Sequence, residues 1–380
     1  MARTPFDLAD IVDRHRGALE TVQPLSSTQG RALSAITLCR TAALGGHAGV
    51  CLACGLQEDP SYNSCRNRHC PKCQALAQER WIAKRAEALL GVPHFHGVFT
   101  LPEDLRAVAR RHPREVYDAL LRSAGEALLE LGRSRLKATL GLTLVLHTWT
   151  RDLRLHPHVH ALISAGGLTQ DGSTFMRAKE KFLLHVKPLA RLFKGKMMDA
   201  LRGLRKRGAL PMSDGAFGAL MASLAKQDWH VYLKRPFSSP ERVLAYLGRY
   251  THRVGIANSR LLDVTEAQVT WRTKDGRTAT LAPVDFLRRF VQHVLPDRFK
   301  KIRHAGLYAS PKALAQAKAG LGSPLAPPTP PRSWEEVLRL LTGRDVSRCD
   351  HCQAPLHRRL IPPERSLVRR FLSPIPRSPP

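Results

Sequence analysis

The sequence of 380 residues has few acidic residues, few aromatic residues and no long apolar segment. Aspartate and glutamate number 31 against 60 lysines and arginines, which gives a formal net charge of +29 at neutral pH. A bilayer requires a run of about eighteen or more apolar residues, so no membrane-spanning segment is expected. The first residues lack the apolar stretch of a secretory signal, and we expect a cytoplasmic protein. Such an excess of positive charge favours a polyanionic partner, of which DNA and RNA are the commonest.

The pattern of apolar residues divides the chain into three predicted parts. Residues 1–90 combine helical periodicity with a cysteine-rich segment, and residues 91–305 alternate β-like and helical segments. Residues 306–380 contain a proline-rich linker, a short helix and a basic tail. The predicted strands of the second part are 94–101, 142–149, 158–165 and 228–237. We expect its second and third strands to form an antiparallel hairpin or to be near neighbours in one sheet.

The eight cysteines follow a spacing that is typical of metal sites rather than of disulfides. Six of the eight form C-x2-C pairs. Because each C-x2-C turn offers two thiolates, Cys51 and Cys54 with Cys70 and Cys73 predict one tetrahedral structural zinc site. Three further residues are close enough to replace a thiolate or to build a second site: His47, Cys65 and His69. A set of buried free cysteines is the less favoured alternative.

Other residues near the cysteine pairs have two interpretations each. Four basic side chains would face nucleic acid, or would form an ordinary solvated surface: Arg66, Arg68, Lys72 and Arg80. A third C-x2-C pair, Cys349 and Cys352, lies near the C-terminus. With His351 or His357 it could complete a second metal site, but a degenerate knuckle without metal fits equally well.

Three histidines at the predicted hairpin are candidate ligands of a catalytic metal. His158 and His160 are two positions apart in a strand, so their side chains project from the same face. If the turn is centred near residues 152–153, His147 on the preceding strand lies opposite this pair. Converging imidazoles can hold a divalent metal and leave positions for water or phosphate. The same His-apolar-His spacing occurs on another predicted strand, at His94 and His96, which could lie near the same metal.

Two of the six tyrosines, Tyr246 and Tyr250, are four positions apart in a predicted helix. Positions with this spacing share a helix face, so both hydroxyls can reach one pocket. Arg249, His252 and Arg253 lie in the same segment, which is unusual for a helix that only fills a core. A phenol has a pKa near 10 and becomes a useful nucleophile only beside a cation or a base. Together with a histidine-bound metal, the tyrosines favour a site that cuts nucleic acid through a phosphotyrosine ester.

Three segments of the sequence resemble transposases of the insertion-sequence 91 family. They are YNSCRNRHCPKCQ (62–74), HTWTRDLRLHPHVHALISAGG (147–167) and VLAYLGRYTHRVGIANSRL (243–261). Members of this family are two-tyrosine enzymes of the HUH (His-hydrophobic-His) endonuclease superfamily. The resemblance implies an α+β fold, in which a helical zinc-binding domain precedes an HUH core. That core is an antiparallel sheet with flanking helices, similar to ferredoxin-like and RRM folds.

The resemblance also implies roles for individual residues. His158 and His160 match the HUH metal ligands, and Tyr246 and Tyr250 match the paired nucleophiles. The zinc-binding cysteines of the family correspond to Cys51, Cys54, Cys70 and Cys73 in this sequence. The third catalytic ligand is not fixed by the family pattern, so His147 rests on the hairpin argument alone. Gln353 departs from the glycine expected after the last C-x2-C pair, which weakens the case for a second zinc.

The implied activity is rolling-circle transposition. The substrate would be single-stranded DNA at the ends of a mobile element, and the catalytic metal would be Mg²⁺ or Mn²⁺. Arg249 and Arg253 would contact DNA together with the basic residues near the cysteines. The protein would act in the bacterial cytoplasm, at the nucleoid when bound to DNA, with no membrane partner. The sequence does not specify an oligomeric state.

Two other functions fit part of the sequence. A non-catalytic zinc-finger protein from a decayed element would bind DNA without cutting it. A metal-dependent nuclease that hydrolyses with water, using acidic residues such as Asp152 and Asp171, would cleave without either tyrosine. We consider this nuclease the weaker alternative, since no acidic triad stands out from the background.

Overall fold

The computed structural model describes residues 5–179, 181–237, 248, 255–274, 276–322 and 333–364. Its α-helices are α1 (Leu8–Val22), α2 (Ser27–Leu38), α3 (Ala75–Ala88), α4 (Leu105–Arg111), α5 (Pro113–Leu136), α6 (Val186–Lys206), α7 (Asp214–Lys226), α8 (Pro283–Val291), α9 (Pro311–Gly320) and α10 (Trp334–Thr342). Its strands are β1 (Gly46–Cys51), β2 (Ser61–Tyr62), β3 (His94–Thr100), β4 (Ala138–Trp149), β5 (Leu155–Thr169), β6 (Phe175–Arg177), β7 (Val231–Phe237), β8 (Leu261–Val264), β9 (Val269–Arg272), β10 (Thr278–Leu281), β11 (Ile302–Gly306) and β12 (Leu356–Ile361). None of the described helices is long and apolar enough to cross a membrane.

A central antiparallel sheet has the strand order β11-β4-β5-β3-β7, with β6 paired to the far end of β5. The long strands β4 and β5 form the predicted antiparallel hairpin, in which His147 lies opposite His158. The pairing of β3 with β5 places the second His-apolar-His segment on the neighbouring strand. The mixed helices and antiparallel strands confirm the α+β class.

One face of this sheet is the main hydrophobic core. Because strand side chains alternate, Leu144 and Leu146 of β4 join the core while His147 points to the opposite face. Val159 of β5, between the two predicted ligands, also enters the core. Helices α5 and α6 cover this face with apolar side chains such as Phe193, and each such residue contributes roughly 1.5–3 kcal/mol on burial. The core thus leaves the other face of the hairpin to the polar residues.

A second core joins the N-terminal helices to a later part of the chain. Helix α2 begins with a capping box, in which the side chains of Ser26 and Gln29 bond to each other's backbone N–H. Ile11 of α1 and Leu33 of α2 pack in one cluster with Trp271 of β9 and with α8. The three-stranded sheet β10-β9-β8 therefore supports the N-terminal helices.

The C-terminal segment pairs with the cysteine-rich segment. Strand β12 lies antiparallel to β1, from Gly46 opposite Ile361 to Cys51 opposite Leu356. The short helix expected in this part of the chain is α10, which begins with a capping box between Ser333 and Glu336. The boundaries near residues 90 and 305 stay predictions, and the β1–β12 pairing connects parts of the chain on either side of them.

Candidate active site and metal centres

His147, His158 and His160 converge on the face of the sheet opposite the main core. One ring nitrogen from each lies within 4.8 Å of the others. The ring centroids are 5.5 Å apart for His147 and His158, and 4.6 Å apart for His147 and His160. His147 is only 3% exposed. The geometry that the hairpin argument predicted is therefore present, with the third imidazole opposite the pair.

The surroundings of these imidazoles hold them in a form that can bind metal. His158 Nδ1 lies 2.7 Å from the carbonyl oxygen of His156, and donation of its proton there leaves Nε2 with a free lone pair. Burial lowers the pKa of His158 to about 4, so the ring is neutral at physiological pH. A neutral imidazole with a fixed tautomer is the ligand that a divalent metal requires.

The second His-apolar-His segment, on β3, does not join the three converging imidazoles, but one of its histidines contacts them. His96 Nε2 lies 2.9 Å from His160 Nδ1, and the two rings are stacked. Donation from His160 Nδ1–H to His96 would orient His160 in the way that outer partners orient metal ligands. His94 is farther along β3 and bonds to the Tyr308 hydroxyl at 2.5 Å, away from the three converging rings. His96 thus neighbours the site, as the shared spacing suggested, and His94 has a structural partner.

The last two residues of β4, together with His293 just after α8, brace the hairpin turn. The His147 ring stacks on Trp149, with centroids 4.9 Å apart. Buried His293 accepts a hydrogen bond from the Thr148 hydroxyl at 3.1 Å and donates to the Leu153 carbonyl at 3.0 Å. Sequence reasoning missed His293, because nothing in the spacing connects it to the hairpin.

The predicted nucleophiles Tyr246 and Tyr250 lie outside the described residues, as do Arg249 and Arg253. Gly248, between the two tyrosines, is described, is helical and lies against α3. A Cβ atom at this position would collide with the Ile82 side chain and lie 3.2 Å from Gln78 Nε2. Glycine, which has no Cβ, is therefore the residue that fits against α3 at position 248.

The eight cysteines form two clusters of four. One cluster contains Cys39, Cys65, Cys70 and Cys73, and the other contains Cys51, Cys54, Cys349 and Cys352. Sulfur–sulfur distances of 3.8 Å for Cys65–Cys73 and 3.7 Å for Cys54–Cys349 are far too long for disulfides. Zinc–sulfur bonds of about 2.3 Å place tetrahedral sulfurs about 3.8 Å apart, so both clusters match zinc geometry.

Hydrogen bonds between neighbouring thiols raise the pKa of Cys65 and Cys70, while other hydrogen bonds lower the pKa of at least one cysteine in each cluster. The backbone N–H of Cys54 lowers the pKa of Cys51 to about 6. In the other cluster, a hydrogen bond with the Cys65 side chain lowers the pKa of Cys39 to about 7. The thiolate is the form of cysteine that binds metal.

The predicted single site from Cys51, Cys54, Cys70 and Cys73 is wrong in its pairing. The structure assigns Cys51 and Cys54 to one cluster and Cys70 and Cys73 to the other. Cys65 joins the second of these as one of the proposed alternatives, while His47 and His69 are in neither cluster. Spacing shows which two sulfurs share a turn, but not which turns meet in space. No other cysteine is near Cys39 in the sequence, so the spacing of the cysteines could not identify it as a metal ligand.

The C-terminal pair forms a knuckle despite lacking the expected glycine. Gln353 has φ of 60°, close to the 74° of Gly55 after the first pair. In both turns the N–H of this residue donates to the carbonyl of the first cysteine, at 2.9 Å. Gln353 thus adopts the left-handed conformation that glycine adopts without strain. Glutamine in place of glycine therefore strains the turn, but the turn still forms.

The basic residues beside the cysteines have different environments. Arg68 Nη1 donates to the Phe299 carbonyl at 2.5 Å, and burial lowers its pKa. Lys72 forms an ion pair with Asp7 at 2.6 Å. Arg66 is exposed. Two of the predicted DNA contacts, Arg68 and Lys72, therefore also tie the cysteine-rich segment to other parts of the chain.

Comparisons with known proteins identify the family. A model described as "Transposase zinc-binding domain" matches residues 11–101, and one described as "Putative transposase" matches residues 141–315. The chain is 39% identical over 375 residues to "Putative transposase y4qJ" of Sinorhizobium fredii (strain NBRC 101917 / NGR234), covering 93% of this chain and 94% of that protein. It is 29% identical over 308 residues to "Transposase for insertion sequence element IS801" of Pseudomonas savastanoi pv. phaseolicola, covering 77% of this chain and 73% of that protein.

No solved structure is significantly similar to the chain. The sequence relationships are nevertheless extensive, because both the zinc-binding part and the central part match. The chain belongs to the insertion-sequence 91 family of transposases, as the three segments indicated. It is a DNA-binding transposase of a mobile element with a zinc-binding domain.

Proposed function

We propose that this transposase cleaves and rejoins single-stranded DNA at the ends of its element by a rolling-circle mechanism. The observation that carries the proposal is the convergence of His147, His158 and His160 on the face of the sheet opposite the main core. In this proposal β4, β5 and β3 are the centre of an HUH core, and His158 and His160 are its paired ligands.

The three histidines would hold Mn²⁺ or Mg²⁺, which when bound would neutralise charge on the scissile phosphate. An all-imidazole set favours Mn²⁺, because Mg²⁺ has the stronger preference for oxygen ligands. Phosphate oxygens and water would complete the coordination. His96 would orient His160, and Trp149 would hold the His147 ring in place.

The tyrosines supply the nucleophile in the proposed reaction. The hydroxyl oxygen of Tyr246 or Tyr250 attacks phosphorus and loses its proton, while the bond from phosphorus to the 3′-oxygen breaks. The 3′-oxygen takes up a proton and leaves as a free hydroxyl, and the 5′-phosphate remains esterified to tyrosine. Because the ester retains the bond energy, a 3′-hydroxyl can reverse the step and rejoin DNA without ATP. The second tyrosine allows another strand to be cut meanwhile.

We assign a structural zinc ion to each four-cysteine cluster. The convergence of four sulfurs in each cluster and their tetrahedral spacing support this assignment. Zinc would stabilise segments that have little hydrophobic core of their own by on the order of 10 kcal/mol.

The environments of the acidic candidates weigh against the hydrolytic alternative. Asp152 forms an ion pair with Arg154 at 2.7 Å. Asp171 accepts a hydrogen bond from the Ser173 hydroxyl within a turn. Among the described residues, no carboxylate joins the three-histidine group.

The test is a denaturing gel of labelled single-stranded DNA from the element's own ends, incubated with protein and Mn²⁺. Wild type is compared with Tyr246→Phe, Tyr250→Phe and the double variant. We expect a protein-linked DNA band that the double variant does not form. Cleaved DNA without linked protein would overturn the tyrosine mechanism in favour of hydrolysis. Firm binding without any product would support a DNA-binding protein alone.

A further inference from the structure

A large cleft lies between the cysteine-rich segment and the edge of the central sheet. Its volume is about 1430 Å³, which exceeds the roughly 300–1,000 Å³ of pockets that enclose small molecules. Its walls are the cysteine-rich segment, the start of α3, residues 298–302 and the C-terminal segment 333–364. An opening of this size suits a segment of a polymer.

The lining of this cleft is strongly basic. Of the residues that the structure describes, only two acidic ones line it, Glu58 and Asp59, and the Glu58 carboxylate already pairs with Arg344 at 2.5 Å. The basic lining residues are Arg40, Arg66, Arg68, Lys72, Arg80, Arg298, Lys300, Lys301, Arg344 and Arg358. Low-dielectric walls around charges of one sign concentrate the positive potential inside the cleft. The occupant that this potential selects is a polyanion.

Three aromatic residues line the same cleft, and one of them, Phe299, is buried. The other two are Tyr62 in the cysteine-rich segment and Trp334 at the start of α10. The Arg358 guanidinium lies over the Trp334 ring, 4.2 Å from its centroid, and limits its rotation. A basic groove that also offers aromatic rings is the combination that binds unpaired bases and their backbone. Paired bases could not stack on these rings, so the lining favours single strands over duplex.

The cleft reaches the strand that carries the histidine site. Lys301 and Ile302 form its inner end, and the Lys301 carbonyl accepts the N–H of Leu146. Leu146 directly precedes His147 on β4. A DNA strand that follows the cleft would therefore reach the edge strand β11, whose neighbour β4 carries His147.

We infer that this cleft binds the single-stranded DNA that adjoins the scissile phosphate. The inference rests on the proposed function and specifies where the element end lies. Phosphates contact the basic walls, and bases stack on Tyr62 and Trp334. The C-terminal segment, fixed by β12 and by the cluster that includes Cys349 and Cys352, forms one wall of the binding site.

The test compares two sets of charge reversals with the same change in net charge. The cleft set, Arg80→Glu, Arg298→Glu and Lys300→Glu, alters exposed side chains of the lining. The control set alters exposed side chains on the helical face of the sheet: Arg122→Glu, Lys187→Glu and Arg191→Glu. Binding of a fluorescein-labelled 20-mer of oligothymidine is measured by anisotropy over a range of salt concentrations. Zinc content and circular dichroism check that each variant folds.

We expect the cleft set to weaken binding at least about tenfold, and the control set by no more than about threefold. The slope of log affinity against log salt should fall by about 2 for the cleft set, since each lost phosphate contact removes about 0.7. Trp334→Ala should weaken binding about tenfold and Trp334→Phe much less, because phenylalanine retains the stacking surface. Equal losses for both charge sets would overturn the inference, as would unchanged binding in the cleft set.

The gel assay with element ends separates this inference from the proposed function. Suppose that wild type forms no protein-linked DNA, but that only the cleft set loses DNA binding. The proposed tyrosine reaction is then wrong, and the proposed DNA-binding role of the cleft still stands. Suppose instead that wild type forms the protein-linked band, and that the cleft set binds and reacts like wild type. The proposed DNA-binding role of the cleft is then wrong, and the proposed tyrosine reaction still stands.

Discussion

The Sγ atoms of Cys51 and Cys352 lie 3.4 Å apart, although 301 positions separate these residues in the sequence. Each belongs to a C-x2-C turn, and the pairing of β1 with β12 brings the two turns together. A metal bound there links the cysteine-rich segment to the C-terminal segment. The other cluster joins Cys39 to three cysteines that lie between positions 65 and 73.

The first prediction concerns zinc content. Purified protein should contain two zinc ions per chain, measured by inductively coupled plasma mass spectrometry. The double variant Cys349→Ser with Cys352→Ser should lose one of them, because it removes half the ligands of one cluster. Cys39→Ser should reduce occupancy of the other. If the C-terminal double variant kept two zinc ions, the pairing seen here would be incorrect.

The second prediction concerns the third histidine. His147→Ala should lower the rate of strand cleavage at limiting Mn²⁺ by about 100-fold or more, because even outer partners of metal ligands contribute about 10–100-fold. Raising the Mn²⁺ concentration should restore part of the activity. His230→Ala, which removes an exposed imidazole, is the matched control. Equal rates and equal metal dependence for His147→Ala and wild type would exclude this ligand.

The third prediction concerns the stability of the hairpin at mildly acidic pH. Burial lowers the pKa of His293 from 6.5 to about 4, so between these values the unfolded chain binds a proton that the folded chain excludes. The free energy of unfolding therefore falls as the pH drops through this window, by about 1 kcal/mol for this group between pH 7 and 5.5.

Urea unfolding at the two pH values measures this effect. His293→Asn should be less stable than wild type at pH 7, because it disturbs the bonds to Thr148 and Leu153, yet lose about 1 kcal/mol less on acidification. The exposed control His230→Asn should keep the wild-type pH dependence. An unchanged pH dependence in His293→Asn would contradict the assignment.

The fourth prediction concerns the two knuckles that face each other in one cluster. Gln353→Gly should stabilise the folded protein by about 1 kcal/mol, since a left-handed residue other than glycine costs about 1–2 kcal/mol. Gly55→Gln should destabilise it by a similar amount, because its φ of 74° is also left-handed. Thermal unfolding and competition for zinc with a chelator measure both changes. Opposite signs are required, and two destabilising substitutions would argue against a strained knuckle.

Much of the secondary structure could be predicted from local patterns. The strands β3, β4, β5 and β7 lie where apolar runs predicted them, and the short helix expected in the C-terminal part is α10. The segment that carries Tyr246 and Tyr250 lies outside the described residues, so its helix stays a prediction. The second core, between α1, α2 and the β8–β10 sheet, had no signal in the spacing because its members are more than 200 positions apart.

The sequence alone determined the histidine group and the local cysteine turns. Alternation along a strand places His158 and His160 on one face, and a short turn fixes the register that sets His147 opposite them. Each C-x2-C pair likewise forms within a single turn. Only the tertiary structure decided which cysteine turns share a cluster and that the C-terminal segment lines the basic cleft. Both depend on the pairing of β1 with β12, a long-range contact that local periodicity does not encode.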